Sequence, residues 1–288
     1  MPEGNPPISD DDPPILGAGL LEPGWAPEQI DTATAHPARM YDYYLGGKDN
    51  YQVDRDAAEE VMAIMPQTRM AARANRAFLG RVVRHLAGLG VRQFLDIGTG
   101  IPGPGNTGEV AHTLAPDARV VYVDNDPIVL AHAESLLAKA DRARTTVISG
   151  DLRDPAGILA NPRVREVLDF TEPIAVLLIA VLHFVREDED PYGVVRHLMD
   201  AMPPGGFLAL SHATGDFDPV SAREGVRAYT RAGARFVPRT RSQFAAFFEG
   251  MQLLEPGIVQ VPYWQPDEEP APEAASVWSY GGVGRKLG

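Results

Sequence analysis

The sequence predicts a doubly wound α/β fold: a mostly parallel sheet with helices on both faces, a helical cap before it, and a last strand running antiparallel. Three observations predict it. Strand-like apolar runs at 94–97, 119–123, 145–148, 174–182 and 207–211 alternate with helix-patterned stretches, which implies right-handed βαβ units. The first run leads into Gln93-Phe-Leu-Asp-Ile-Gly-Thr-Gly-Ile-Pro-Gly-Pro-Gly-Asn106, an acid followed by a glycine-dense loop and a helix start. That order builds a nucleotide site at the carboxyl edge of a parallel sheet. Near the C-terminus, strand-like segments at 253–261 and 276–283 are joined by a Pro/Glu-rich stretch without a helical pattern, so they pair antiparallel.

With 44% of its 288 residues hydrophobic, the chain can bury the core of one large domain, or of one domain with a smaller appendage. Its 26 Lys+Arg against 39 Asp+Glu give a net charge of −13, which argues against nonspecific binding to nucleic acid or an anionic membrane. The absence of cysteine excludes disulfides, thiolate metal sites and a cysteine nucleophile, and fits a reducing compartment. No basic stretch leading into an apolar one opens the sequence, and no uninterrupted apolar run approaches about 18 residues. A soluble, cytoplasmic protein is expected.

Residues 1–33 hold seven prolines, from Pro2 to Pro27, and the acidic run Asp10-Asp-Asp12. This composition buries too little surface to offset ordering entropy and predicts a flexible arm, with Trp25 as its attachment to the body. A helical cap or sheet flank is expected over 34–90, and the core over 91–288. Pro37 suits a first helical position, and Gly46-Gly47 ends that helix. Asp54 is placed to cap a second helix that stops at Pro66. From Thr68 the residues Met70, Ala74, Phe78, Val82 and Leu86 recur every four positions, predicting a long helix with Gly90 just beyond it.

In the core, Asn106 followed by Glu109 is an asparagine-led capping box for a short helix stopped near Pro116. Residues 128–140 form the next helix, and 155–169 form helix or turns around apolar anchors. Ile174 to Leu182 is the most apolar run of the chain, as a central strand buried on both faces requires. A helix over 191–202 reaches the strand at 207–211 through Pro203-Pro-Gly-Gly206. Asp218-Pro219 starts another helix, and Thr240 with Gln243 caps one that ends at Gly250.

The string Gly98-Thr-Gly-Ile-Pro-Gly103 satisfies G-x-G-x-x-G, by itself a weak sign of a dinucleotide. Asp96, two residues before Gly98, repels a pyrophosphate and attracts a cation. S-Adenosyl-L-methionine carries a sulfonium and an ammonium and no phosphate, so Asp96, Gly98, Thr99 and Gly100 are expected to seat it. Asp124 closes the second strand, where a carboxylate can accept from both ribose hydroxyls, with Asn125 just beyond and Asp126 expected in the surroundings of the adenine. Asp151 closes the third strand at the expected adenine edge, with Leu152 next to it. Acids at strand ends also cap helices, but three at the same edge of successive strands fit a ligand better.

Asp96-Ile-Gly-Thr-Gly100, Tyr122-Val-Asp-Asn-Asp-Pro127, Gly150-Asp151 and the 174–184 stretch resemble the nucleotide-site motifs of class I S-adenosylmethionine-dependent methyltransferases. More narrowly, the chain resembles a bacterial S-adenosyl methyltransferase family long catalogued as a domain of unknown function. That resemblance rests on Tyr43-Tyr-Leu-Gly-Gly-Lys-Asp-Asn50, Asn75-Arg-Ala-Phe-Leu79, Gln93–Gly100, Tyr122–Pro127, Val181-Leu-His-Phe184 and Gly281-Gly-Val-Gly-Arg-Lys286, and it runs from about residue 35 onward. It implies a Rossmann-like sheet of seven strands with the last antiparallel, and a methyl donor in the groove. It implies no acceptor.

His183, at the end of the fourth strand beyond Ala180, stands where the methyl group should face its acceptor. It is either a general base or an imidazole that bonds backbone and shapes the pocket. Tyr43–Asn50 suits a lid, with Tyr44 and Lys48 toward the ligand, although an ordinary helix joint has the same composition. Arg76 can hold the donor's carboxylate in a bidentate contact, or be solvated. The arginines of 69–84 form no stripe and have no aromatic platform, which argues against a nucleic-acid face. No residue set has metal-ligand spacing. The expected function is methyl transfer to a small-molecule acceptor. A donor-binding module without turnover is the alternative, and an NAD-dependent oxidoreductase stands behind it.

Overall fold

The computed structural model describes residues 31–137, 141 and 143–288; the arm before residue 31, including Trp25, and the last residues of the helix expected over 128–140 lie outside them. Among the described residues three helices come first: α1 (Pro37–Leu45), α2 (Gln52–Ile64) and α3 (Thr68–Gly88). Pro37 starts α1 and Gly46 ends it in the left-handed conformation. Asp54 is not the cap of α2. Tyr51 holds that position, and the Asp54 carboxylate accepts from the amides of Tyr51 at 2.8 Å and His36 at 2.9 Å. One buried acid therefore joins the starts of two helices.

Five strands run parallel in the order β3-β2-β1-β4-β5: β1 (Gln93–Ile97), β2 (Arg119–Asp124), β3 (Thr145–Ser149), β4 (Ala175–Ile179) and β5 (Phe207–Ala213). The single strand predicted over 253–261 is broken by a turn at Pro256-Gly257 into β6 (Met251–Leu253) and β7 (Val259–Gln260). Both pieces pair antiparallel with one edge of β8 (Ser279–Lys286), whose other edge lies antiparallel against β5. The eight strands thus fill seven positions of one sheet. Gly281 and Gly284 make the last strand fit: a Cβ on them would stand 2.8 Å from the rings of Phe78 and Phe248.

The remaining helices are α4 (Thr107–Leu114), α5 (Pro127–Leu137), α6 (Pro155–Ala160), α7 (Pro162–Val167), α8 (Pro191–Asp200), α9 (Pro219–Arg231) and α10 (Arg241–Ala245). Strand alternation sorts the core into two faces. Leu95, Ile97, Val121, Val123, Val176 and Leu178 pack with α6, α7, α8 and α10. Phe94, Val120, Tyr122, Ala175 and Leu177 pack with α3 and α4. Phe78, Val82 and Leu86 of α3 are wholly buried in that second core, each contributing on the order of 2 kcal/mol. So α3 is a flank of the sheet, whereas α1 and α2 form a smaller cluster with α9 around Met40, Tyr44, Val61 and Tyr229.

β4 is buried as expected but stops at Ile179, three residues before the predicted end. Ala180 takes φ 56°, a left-handed conformation that costs a residue with a Cβ about 1–3 kcal/mol. Its amide is held by the carbonyl of Ser211 at 3.2 Å and the Ser211 hydroxyl at 2.9 Å. The chain then turns through a single 3₁₀ turn, Leu182–Phe184.

Candidate functional site

Because β2 and β3 lie on one side of β1 and β4 and β5 on the other, the connections diverge and open a crevice at the carboxyl ends of β1 and β4. A cavity of about 250 Å³ occupies it, roofed by α1 and walled by α3. The glycine loop forms its floor. Gly98 has φ +75° and a Cβ there would lie 2.4 Å from Val181, so neither the conformation nor the space admits another residue. Gly100 donates its amide to Asp124 Oδ2 at 2.9 Å. At the start of α4, Asn106 accepts from the Glu109 amide at 3.1 Å. The Glu109 carboxylate reaches back to the Gly105 amide at 2.8 Å instead of closing the box on Asn106.

Three acids line the β1–β3 half. Asp96 accepts from the Thr107 hydroxyl at 2.6 Å; burial raises its pKa above the ordinary carboxylate range, against the hydrogen bonds of Thr107 and Thr99 and the charge of Arg76. Asp124 accepts from the amides of Gly100 and Asp126, both at 2.9 Å, and burial raises it too. Asp151 is held below the usual range by its hydrogen bond to Arg153, whose Nε donates at 2.8 Å.

The β4–β5 half is aromatic. Phe184, Tyr229, Phe236 and Trp278 line it with His183; Phe236 stacks on Tyr229 at 4.5 Å and stands 5.1 Å from the His183 ring. His183 Nδ1 accepts from the amide of Ala213 at 3.3 Å, and burial holds its pKa well below the ordinary value. A buried polar chain fixes the partition between the halves. The Ser211 hydroxyl donates to Asn75 Oδ1, Asn75 donates to the Tyr41 hydroxyl at 2.9 Å, and Tyr41 donates to the carbonyl of Ala72 at 3.0 Å. Behind His183, the wholly buried Arg239 donates to the carbonyls of Leu182 at 3.0 Å and Val185 at 2.9 Å, to His212 Nε2 at 2.9 Å and to Glu187 at 2.9 Å.

The sequence signature of the S-adenosyl methyltransferase family matches residues 23–287. The chain belongs to this family. Its fold matches the crystal structure of a DUF574-family protein from Streptomyces avermitilis, with 44% identity and a TM-score of 0.86 over 90% of this chain and 100% of that one. A proposed methyltransferase from Thermobifida fusca is similar at 38% identity and a TM-score of 0.85, over 92% of this chain and 100% of that one. A search of curated proteins gave no match. The family is that of S-adenosylmethionine-dependent methyltransferases, and the donor supplies an electrophilic methyl group when bound.

The cavity suits that donor. It offers buried carboxylates to a cation, and the loop around Gly100 leaves open space where a Cβ would stand. Of the residues singled out in the sequence, Asp96, Gly98, Thr99, Gly100, Asp124, Asn125, Asp151, Leu152, Ala180, Arg76, Tyr44 and His183 all line it. Two do not. Asp126 is turned into the cap: His36 Nδ1 lies 2.8 Å from its Oδ2 and Arg39 Nε 3.5 Å, and its Oδ1 accepts from the Ile128 amide. Lys48 is exposed on a turn folded around Asp42, which accepts from the Asp49 amide at 3.0 Å and Asn50 Nδ2 at 2.8 Å. The roof is α1 itself rather than the 46–50 turn. His183 sits in the 3₁₀ turn rather than on β4.

Sequence reasoning missed His36, Tyr41, Ser211, Arg239 and most of the aromatic wall. Asn75 stood in a recognised motif without a role. Tyr229, Phe236 and Trp278 come from distant segments, and Arg239 is one arginine among several at 235–241, so spacing carried no signal for them.

Proposed function

We propose that the protein transfers a methyl group to a small-molecule acceptor in the cytoplasm, with the donor over β1–β3 and the acceptor over β4–β5. The observation that carries this reading is that one roofed cavity joins three strand-end carboxylates to an uncharged aromatic half. In this reading Asp96, Gly98, Thr99 and Gly100 seat the methionine part, with Arg76 at its carboxylate. Asp124 and Asn125 take the ribose, and Asp151 and Leu152 border the adenine. Ala180 and Tyr44 border the methyl group. His183 shapes the acceptor side: with Nδ1 accepting an amide hydrogen, its proton lies on Nε2, so the ring can donate but not act as a base. Residues 34–90 supply the roof and one wall, and 91–288 the sheet. Methyl transfer to a good nucleophile asks mainly for alignment, which the fixed floor and roof provide.

Calorimetry with S-adenosylhomocysteine and with NAD tests the donor site. S-Adenosylhomocysteine is expected to bind and NAD not to, and Asp124→Ala should weaken binding more than about tenfold through its charge-assisted hydrogen bonds. Binding of NAD alone would sink the assignment. Incubation with methyl-labelled donor and a metabolite extract tests turnover. Label should pass to a small molecule, and tight donor binding with no transfer to any fraction would leave a binding module.

A further inference from the structure

Among the described residues, the acceptor half of the cavity holds no formal charge. Every acid lining the cavity, Asp96, Asp124 and Asp151, and both arginines, Arg76 and Arg153, belong to the β1–β3 half. On the other side the small side chains of Ala71, Ala72 and Ala213 leave room beside the rings of Phe184, Phe236 and Trp278. Phe236 lies 5.1 Å from His183 and 6.3 Å from Trp278, edge to face with Trp278. Such a space receives a flat, uncharged molecule and offers no opposite charge to a carboxylate.

Among the described residues, this half also lacks a base. His183 Nδ1 accepts from the Ala213 amide at 3.3 Å, so Nε2 carries hydrogen. His212 has both nitrogens occupied, one donating to the Ala213 carbonyl at 2.7 Å and the other accepting from Arg239 at 2.9 Å. The hydroxyls of Tyr44 and Tyr229 are 3.3 Å apart and bond each other, and burial raises the pKa of both. A hydroxyl acceptor must lose its proton to become a good nucleophile. A pyridine-type ring nitrogen has its lone pair available at neutral pH.

We propose that the acceptor is a neutral, planar nitrogen heterocycle methylated on a ring nitrogen. The proposal rests on the donor occupying the carboxylate-lined half. The lone pair forms the new N–CH₃ bond while the S–CH₃ bond breaks and its electron pair returns to sulfur. No proton moves, and the positive charge passes from sulfur to the ring, where the aromatic faces of Phe184, Phe236 and Trp278 hold it.

The test offers the full-length protein methyl-labelled S-adenosylmethionine with matched probes: 3-methylpyridine against 3-methylphenol, quinoline against 2-naphthol, and pyridine-3-carboxylate as the charged control. Label is expected in a product retained by a cation exchanger, from 3-methylpyridine or quinoline only. A second readout needs no turnover. With S-adenosylhomocysteine bound, calorimetry should show N-methylquinolinium binding at least about tenfold more tightly than 2-methoxynaphthalene, and Phe236→Leu should weaken it about fivefold. Trp278→Leu repeats the test if Phe236→Leu does not fold. Label on the phenols, or no preference for the cation while S-adenosylhomocysteine still binds, overturns the acceptor assignment. Failure of the unaltered protein to bind S-adenosylhomocysteine overturns the donor reading instead.

Discussion

Asp96 meets two opposed demands. Burial raises its pKa above the ordinary value of 3.8, so the folded protein disfavours the charge that a cationic donor requires. A carboxyl whose pKa is raised by folding costs stability increasingly as pH rises from its unfolded value through its folded one. Asp96→Asn keeps an acceptor for the Thr107 hydroxyl and removes that cost. We predict that at pH 7–8 the ligand-free variant melts higher than the parent, on the order of 2 °C, while calorimetry shows S-adenosylhomocysteine binding weakened about tenfold or more. A melting temperature unchanged at pH 8 would remove the electrostatic account. Asp96, Asp124 and Asp151 were legible in the sequence because a strand end fixes which edge a residue faces. Asp126 and Lys48 stand outside the cavity lining because their places depend on His36, Arg39 and Asp42, partners that no spacing rule names.

Among the elements, the turn after β4 depends most on remote support. Its carbonyls at Leu182 and Val185 are satisfied by Arg239, whose backbone amide is itself fixed to the Ala213 carbonyl at 3.1 Å. Arg239→Met leaves the Val185 carbonyl and His212 Nε2 buried without a donor, and leaves the Leu182 carbonyl only the Val185 amide at 3.1 Å. Chemical denaturation is expected to show a loss of about 3 kcal/mol or more, and a loss below about 1 kcal/mol would mean that the guanidinium is not what holds the turn. The long helices and buried strands were readable because hydrophobic period and capping residues are local. The end of β4 was not: Ala180 leaves the strand because Ser211, thirty-one residues away, accepts its amide twice.

At the scale of the molecule, two histidines are buried neutral. Burial lowers His183 well below its ordinary value of 6.5 and His212 to about 3. Below pH 6.5 the unfolded chain takes up these protons and the folded one does not, so stability is lost as pH falls toward 3. Asp96 and Asp124 act in the other sense, since their raised values let the folded state gain protons first. Calorimetric melting temperatures should therefore fall as pH drops from 7 toward 4, and the total fall should be larger in Asp96→Asn, which has lost one offset. Parallel slopes for parent and variant would contradict this. The parallel sheet, the antiparallel last strand and the glycine loop were all foreseeable, because alternation of strand and helix patterns admits few topologies. The role of α3 as a sheet flank and the division of the outer strand were settled only by packing. That division has a consequence for how the molecule meets other chains. A free sheet edge is a template on which another chain can add a strand and start aggregation. Here the edge beyond β8 offers three residues of β6, a proline turn, and two residues of β7, too short and too broken a ladder for a second molecule to extend.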